Sequence, residues 1–218
     1  MAVQTIQLSE FLPLILPHAP GCPDPVATFN LRLSAIEFCE RTRCWRHILN
    51  TAVTTQNKVI VAPPYAAIHE FEHASYEGEE LTPTQFSDID HGEDMAGTVP
   101  RYITQVGPDT VALYPFAAGS LQLSLFLKPR GGNEYGTVSD NPLDDAYDQV
   151  PGFMLAQHGE PIAFGALARI LAIPGQPFSN PQMAQFYFGR ARELMDARFS
   201  TNMRGQQRAP RRTRFIDF

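Results

Sequence analysis

Cysteine is scarce in this sequence: Cys22, Cys39 and Cys44 are the only three, and none belongs to a CxxC. An odd count without paired spacing excludes a disulfide framework and reads as small buried hydrophobes kept reduced. Long apolar runs are missing as well. Neither the stretch from Met1 to Pro17 nor any later one is uninterrupted enough to span a bilayer. The start also lacks the basic region of a signal peptide, so a product that stays in the cytoplasm where it is made, with no membrane partner, is expected. Charge is sparse, at 18% of residues, and the formal net charge is −6. That balance argues against a general nucleic-acid binder, which needs a cationic surface to meet phosphates.

What is abundant is apolar residues, 44% of 218, and proline, with 19. The length gives one sizeable domain or two small ones with a real core. Many prolines with few charges suit short segments, or long surfaces covered by neighbours.

The first element follows the turn-forming run Pro17 to Pro23. Asp24 suits an N-cap and Pro25 a first helical residue, so the spacing predicts a helix over 24–43. Val26, Phe29, Leu33, Ile36 and Glu40 fall on one stripe, and Arg41 and Arg43 sit where cations suit the helix dipole. Residues 45–129 change character. Short β-branched and aromatic runs at 58–62, 102–106, 110–114 and 121–127 predict strands, with a hairpin around Gly107-Pro108-Asp109. Leu121, Leu123, Leu125 and Leu127 alternate with other residues, as in a strand with one buried face. Residues 130–142 read as a flexible connection.

Helical pattern resumes after Pro151. Pro161 is expected to kink or restart that helix, with Gly165 and Ala166 as small packing positions. The run Ile173 to Pro181 is a turn; Asn180 can cap and Pro181 start a last helix to about Asn202. Met183, Phe186, Tyr187, Leu194 and Arg198 are expected near one face. The final residues 204–218 are basic, lack periodicity and close on Phe215, Ile216 and Phe218, which predicts an extended tail that is disordered alone. The fold class expected is therefore α+β, a helical bundle with an inserted small β domain and an extended C-terminal tail. Its parts are an arm and first helix (1–44), the inserted β domain (45–130), C-terminal helices (143–203) and the tail (204–218).

One catalytic motif stands out: His69-Glu-Phe-Glu-His73 matches HExxH, in which two histidines one helical turn apart hold zinc and the glutamate activates water. A zinc-dependent hydrolase through His69, Glu70 and His73, with Glu93 as a third ligand, is the rival reading. Against it, Pro63-Pro64 and Gly78 bound the motif closely, and Ile68 to Leu81 reads equally well as strand, turn and strand. Glu70, Glu72, Glu77, Glu79 and Glu80 are acidic enough to attract a cation, but a solvated face is the simpler reading. His18, His47, His91 and His158 are isolated, no serine sits in a nucleophile elbow, and Trp45 suits a core or an interface. The expectation is no enzyme, no catalytic residue, no metal and no cofactor.

Three blocks carry a resemblance. Leu16-Pro-His-Ala-Pro-Gly-Cys-Pro-Asp-Pro25 with the run Leu31 to Trp45 resembles the opening of head-to-tail adaptor proteins of tailed bacteriophages. Gly97-Thr-Val-Pro-Arg-Tyr102 leading to Val111-Ala-Leu-Tyr-Pro115 is the second block. Gly165-Ala-Leu-Ala-Arg-Ile-Leu171, Pro174-Gly-Gln-Pro-Phe178 and the helix from Asn180 are the third. They span most of the chain but not 68–96. The resemblance implies a structural virion protein: a ring, usually of twelve copies, beneath the portal protein in the neck, joining capsid to tail. Its helical domain would face the portal and its β region the downstream nozzle or tube protein, with an axial path for DNA. A tail-completion or connector protein of a long-tailed phage is the nearest alternative. Arg208, Arg211, Arg212, Arg214, Phe215, Ile216 and Phe218 are the expected portal-binding residues, since arginines pair with acidic groups and terminal apolar side chains fill pockets. A net negative ring would let DNA slide without holding it or reading its sequence.

Overall fold

The computed structural model describes residues 4–54, 58–89, 99–131 and 148–203. The chain begins with strand β1 (Thr5–Gln7) and a 3-10 segment over Leu8–Leu14 that buries Leu8 and Phe11. Helix α1 follows at Asp24–Thr42. Its cap is Pro23, in extended conformation, and Asp24 lies inside the first turn, a shift of one residue from the expected cap. No side chain caps this end, but the Asp24 carboxylate still sits where the helix dipole favours it. Arg43 closes the helix in the left-handed conformation, its N–H bonding the Cys39 carbonyl at 2.8 Å.

The buried face of α1 differs from the expected stripe. Ala27, Leu31, Ser34, Ala35, Phe38, Cys39 and Thr42 point inward, while Phe29 is 53% exposed and Val26, Leu33, Ile36 and Glu40 are half-buried. Both sides of this helix carry apolar residues, so periodicity alone picks the bulkier side. Packing picks the side with small residues. Helix α2 (Gly152–Leu171) comes so close that a Cβ added at Gly165 would stand 2.2 Å from Ser34 Oγ.

Helix α2 carries Pro161 in its interior as one unbroken element. Proline removes the N–H that would bond the Gln157 carbonyl, yet Gln157 is exposed and water can take that place. Pro161 is itself buried, along with Ile162, Ala163 and Ala166, so apolar burial offsets the missing bond. Helix α3 (Pro181–Met203) starts as expected: Asn180 Oδ1 accepts the Met183 N–H at 3.2 Å. Its inward face is Ala184, Tyr187, Ala191 and Met195. Of the five residues expected there only Tyr187 is buried, because small alanines again set the line of closest approach. The three helices pack pairwise on one another.

Between α1 and α2 lie two main sheets. One has the order β2-β9-β4-β5, from β2 (Arg46–Val53), β9 (Gly119–Pro129), β4 (Ala66–Tyr76) and β5 (Glu79–Glu80). The other is β3-β8-β7-β6, from β3 (Val59–Ile60), β8 (Thr110–Tyr114), β7 (Tyr102–Gln105) and β6 (Thr82–Pro83). All pairs are antiparallel except β6 with β7. Strand β10 (Gln149–Pro151) pairs with β1, tying the N-terminal arm to the entry of α2. The expected hairpin at Gly107–Asp109 joins β7 to β8. A second one turns at Glu77 and Gly78, both with positive φ, between β4 and β5. Leu121, Leu123, Leu125 and Leu127 all point into the core from β9.

The fold is thus mixed helix and strand with mainly antiparallel sheets. One apolar cluster runs without a break from Leu8 and Phe38 through the β9 leucines to Ile162 and Leu171. Arg130 corrects the reading of 130–142 as a flexible connection at its first residue: it is 2% exposed and anchored. Residues 132–142 lie outside the described residues.

Candidate functional site

The HExxH residues lie on β4, a strand, where the helical spacing of the zinc motif does not exist. The pairing of β4 with β9 shifts register between Ile68 and Glu70 and again between Phe71 and His73, so two bulges interrupt the motif. Both glutamates are occupied. Arg43 grips Glu70 with Nε at 2.6 Å from Oε2 and Nη2 at 3.0 Å from Oε1. Glu72 receives Arg46 Nη2 and the Ser124 hydroxyl, each at 2.6 Å. These are the contacts that fasten the end of α1 and the start of β2 to the sheet. Glu93 and His91 lie outside the described residues, and among the described residues no three His, Cys, Asp or Glu side chains gather into a metal-holding group.

The acidic cluster does not converge on a point. Glu77 accepts the Ser120 N–H at 2.6 Å, while Glu79 and Glu80 stand exposed on β5. Among the other singled-out residues, Trp45 is buried and stacks on Tyr65 with ring centroids 6.0 Å apart. His18 meets the Tyr187 hydroxyl at 3.1 Å. His158 is buried between Phe38 and Phe153, with ring centroids at 5.0 and 6.1 Å. Burial, helped by the positive charge of Arg198, lowers its pKa to about 4. It is a core imidazole held neutral.

Arg130 is the one fully buried cation of the strand region among the described residues. Its Nη1 donates to the Pro64 carbonyl at 2.9 Å and its Nη2 reaches Asp109 Oδ2 at 3.3 Å. Asp109 also accepts the Thr110 hydroxyl at 2.8 Å. The end of β9 is thereby clamped to the β7–β8 turn.

Large apolar side chains stand in solvent at several places. On α3 these are Phe186 at 59%, Phe188 at 48%, Met183 and Phe199; on α1 it is Phe29. A groove of about 530 Å³ runs beside Phe188, floored by Ala168, Ala172 and Ala184 and rimmed by Glu37 and Arg169. At the strand end, Ile48 is 77% and Ile60 71% exposed. They flank a second groove of about 550 Å³ along β2, an edge strand among the described residues. These exposed side chains are the candidate contact positions of the described residues. The sequence offered one signal for them. Phe186, Tyr187 and Phe188 are consecutive in a helix, so they fan over about 200° and cannot all face one core.

Arg208, Arg211, Arg212, Arg214, Phe215, Ile216 and Phe218 lie outside the described residues. Helix α3 delivers the chain as far as Met203. Comparison with known protein families gives no match for this chain, and comparison with curated proteins finds no similar one. No helix among the described residues is long and apolar enough to cross a membrane.

Proposed function

We propose that this chain is a structural virion protein, a head-to-tail adaptor that forms a ring beneath a portal and joins capsid to tail around a DNA path. The observation that supports the reading is the set of large apolar side chains standing in solvent on the helices and on the strands. Phe29, Phe186 and Phe188 project from the helices, and Ile48 and Ile60 from the strands. A subunit covered by neighbours accounts for such side chains.

In this reading α1, α2 and α3 form the bundle that faces the portal, and the strands of 45–130 form the inserted unit that meets the nozzle or tube protein. The tail supplies the portal dock. It holds five arginines against one aspartate, so residues 1–203 carry a formal charge of about −10 while the tail carries about +4. A segment of this composition orders on an acidic partner, with Phe215, Ile216 and Phe218 as anchors.

The test is the mass of the purified full chain in solution, alone and mixed with its cognate portal protein, with zinc content measured on the same sample. A monomer that joins the portal as a ring, without stoichiometric zinc, is the expected result. Deleting residues 205–218 should abolish docking and leave the circular dichroism spectrum unchanged. A truncated protein that still docks would remove the tail from the proposal. A chain that ignores the portal and holds one zinc, lost in His69→Ala, would overturn the whole reading.

A further inference from the structure

Two sulfurs meet where α1 hands over to β2, a place that none of the assembly surfaces uses. Cys39 is fully buried in the last turns of α1, and Cys44 is half-buried two residues before β2. Their Sγ atoms are 3.9 Å apart. The helix end creates the approach: Arg43, at φ 51° and ψ 37°, folds the chain back so that Cys44 returns to the turn holding Cys39. The charges around the pair are already matched, Lys128 to Glu40 at 2.6 Å and Arg43 to Glu70.

We propose that Cys39 and Cys44 form an oxidisable dithiol, which hydrogen peroxide converts into an intrachain disulfide that fastens the end of α1 to the start of the sheet. The two sulfurs are unequal. The hydrogen bond between the two thiols lowers the Cys44 pKa, against burial and with a further bond from Thr42. Burial first, and then that same bond, push the Cys39 thiol well above its ordinary range. Cys44, the one that reaches solvent, is therefore the thiolate that meets the oxidant. Its sulfur attacks one peroxide oxygen; the S–O bond forms, the O–O bond breaks and the other oxygen leaves as water after taking a proton. Cys39 then attacks the sulfenic sulfur. The S–S bond forms, the S–O bond breaks, and the Cys39 proton leaves with the hydroxyl as a second water. The sulfur pair loses two electrons and the peroxide gains them. Closing the bond brings the sulfurs from 3.9 Å to about 2 Å.

The sequence provides its own assay, whatever the chain assembles with. Arg41 and Arg43 lie between the two cysteines, so trypsin separates Leu33–Arg41 from Cys44–Arg46. Only a disulfide keeps these peptides together. The reduced full chain, treated with about one equivalent of hydrogen peroxide and digested at acid-quenched, denatured state, should yield the linked pair, about 2 Da lighter than the two thiol peptides together. Dithiothreitol should release them, and Cys22 should remain alkylatable throughout. In Cys39→Ser, Cys44 should hold a sulfenic acid that dimedone traps; in Cys44→Ser, Cys39 should resist oxidation. Linked peptides absent while Cys44 advances to sulfinic acid, or Cys39 oxidising as fast in Cys44→Ser as in the native chain, would overturn the proposal.

Discussion

The helical and the strand regions share one apolar core and both carry ion pairs, such as Arg169 with Glu37 between α2 and α1, but their closest contacts differ in kind. The helices meet through small residues: Gly165 of α2 faces Ser34 of α1, whose hydroxyl donates to the Ile162 carbonyl at 2.7 Å. The strands lean on charge at their ends, where Arg130, Arg43 and Arg46 grip Asp109, Glu70 and Glu72. Close backbone approach leaves no space for a wrong side chain, whereas an ion pair tolerates shape but not loss of a partner. The two regions should therefore fail differently under mutation.

The largest effect is expected at the strand end. Arg130→Ala leaves Asp109 with its carboxylate mostly buried and its cation gone, and removes the donor to Pro64. Breaking a buried pair from one side costs about 3–5 kcal/mol. An unfolding free energy lowered by less than about 1 kcal/mol in denaturant titration would show that the clamp on the β7–β8 turn is dispensable. Acid tests the helical region next. His158 stays neutral in the fold down to about pH 4, from an ordinary value of 6.5, because it is buried and near Arg198. The unfolded chain takes up its proton near 6.5, so the loss of stability begins below that pH, grows as pH falls to about 4, and then levels. It should reach about 2–3 kcal/mol, with His158→Gln flattening that part of the profile relative to the native chain. Equal slopes between pH 6.5 and 4 in both proteins would deny the imidazole this role.

A smaller change separates packing from charge. Gly165→Ala places a Cβ 2.2 Å from Ser34 Oγ, and overpacking of this kind costs about 1–3 kcal/mol. Adding Ser34→Ala removes the hydroxyl and leaves an ordinary 3.4 Å contact to the Cβ of residue 34. The double variant should therefore recover part of the loss, measured as a coupling energy in thermal or denaturant unfolding. Additive losses would mean that the helices part for another reason.

What could be read in the sequence divides along the same line. Helix positions were legible because their ends carry signals: the Pro23–Pro25 run, the Asn180 cap and Pro181 mark α1 and α3 within a residue or two. Helix faces were not. Phe29, Phe186 and Met183 match the apolar period and yet stand in solvent, because the buried face was chosen by Ala27, Ser34, Ala184 and Ala191. For the strands the reverse holds. The β9 leucines announced their inward face by alternation, and the strand, turn and strand that Ile68 to Leu81 allows is what β4, the Glu77–Gly78 turn and β5 form, although HExxH reads there as a helix. The two bulges of β4 break the period of two, and its strand character comes from pairing along β9. Of the candidate assembly surfaces, only the aromatic triplet at 186–188 was marked in the sequence. The groove along β2 depends on residues 45–49 and 60–65 coming together, which no local pattern records.

The triplet also gives the finest test, because its three aromatics sit one residue apart on one helix. Tyr187 is 5% exposed, packs on Phe164 with centroids 5.2 Å apart and bonds His18. Phe186 and Phe188 are exposed, and the Phe188 ring has the Arg192 guanidinium 4.5 Å from its centroid. Tyr187→Ala should cost about 3 kcal/mol of stability, as large-to-small changes in a core do. Phe186→Ser should change it by less than about 0.5 kcal/mol, as surface substitutions do. If this face serves an assembly, Phe186→Ser weakens association while the monomer melts as before. Tyr187→Ala should instead weaken association only to the extent that it unfolds the helix. A Phe186→Ser protein that assembles normally would remove Phe186 from the interface, and the same test on Phe188→Ser, on the other side of α3, would decide whether the strand-end groove flanked by Ile48 and Ile60 is the surface that neighbours cover. A Phe186→Ser protein that melts early would mean that the helical face is part of the fold's own packing, and the contrast between small-residue interior and apolar exterior on α3 would fall with it.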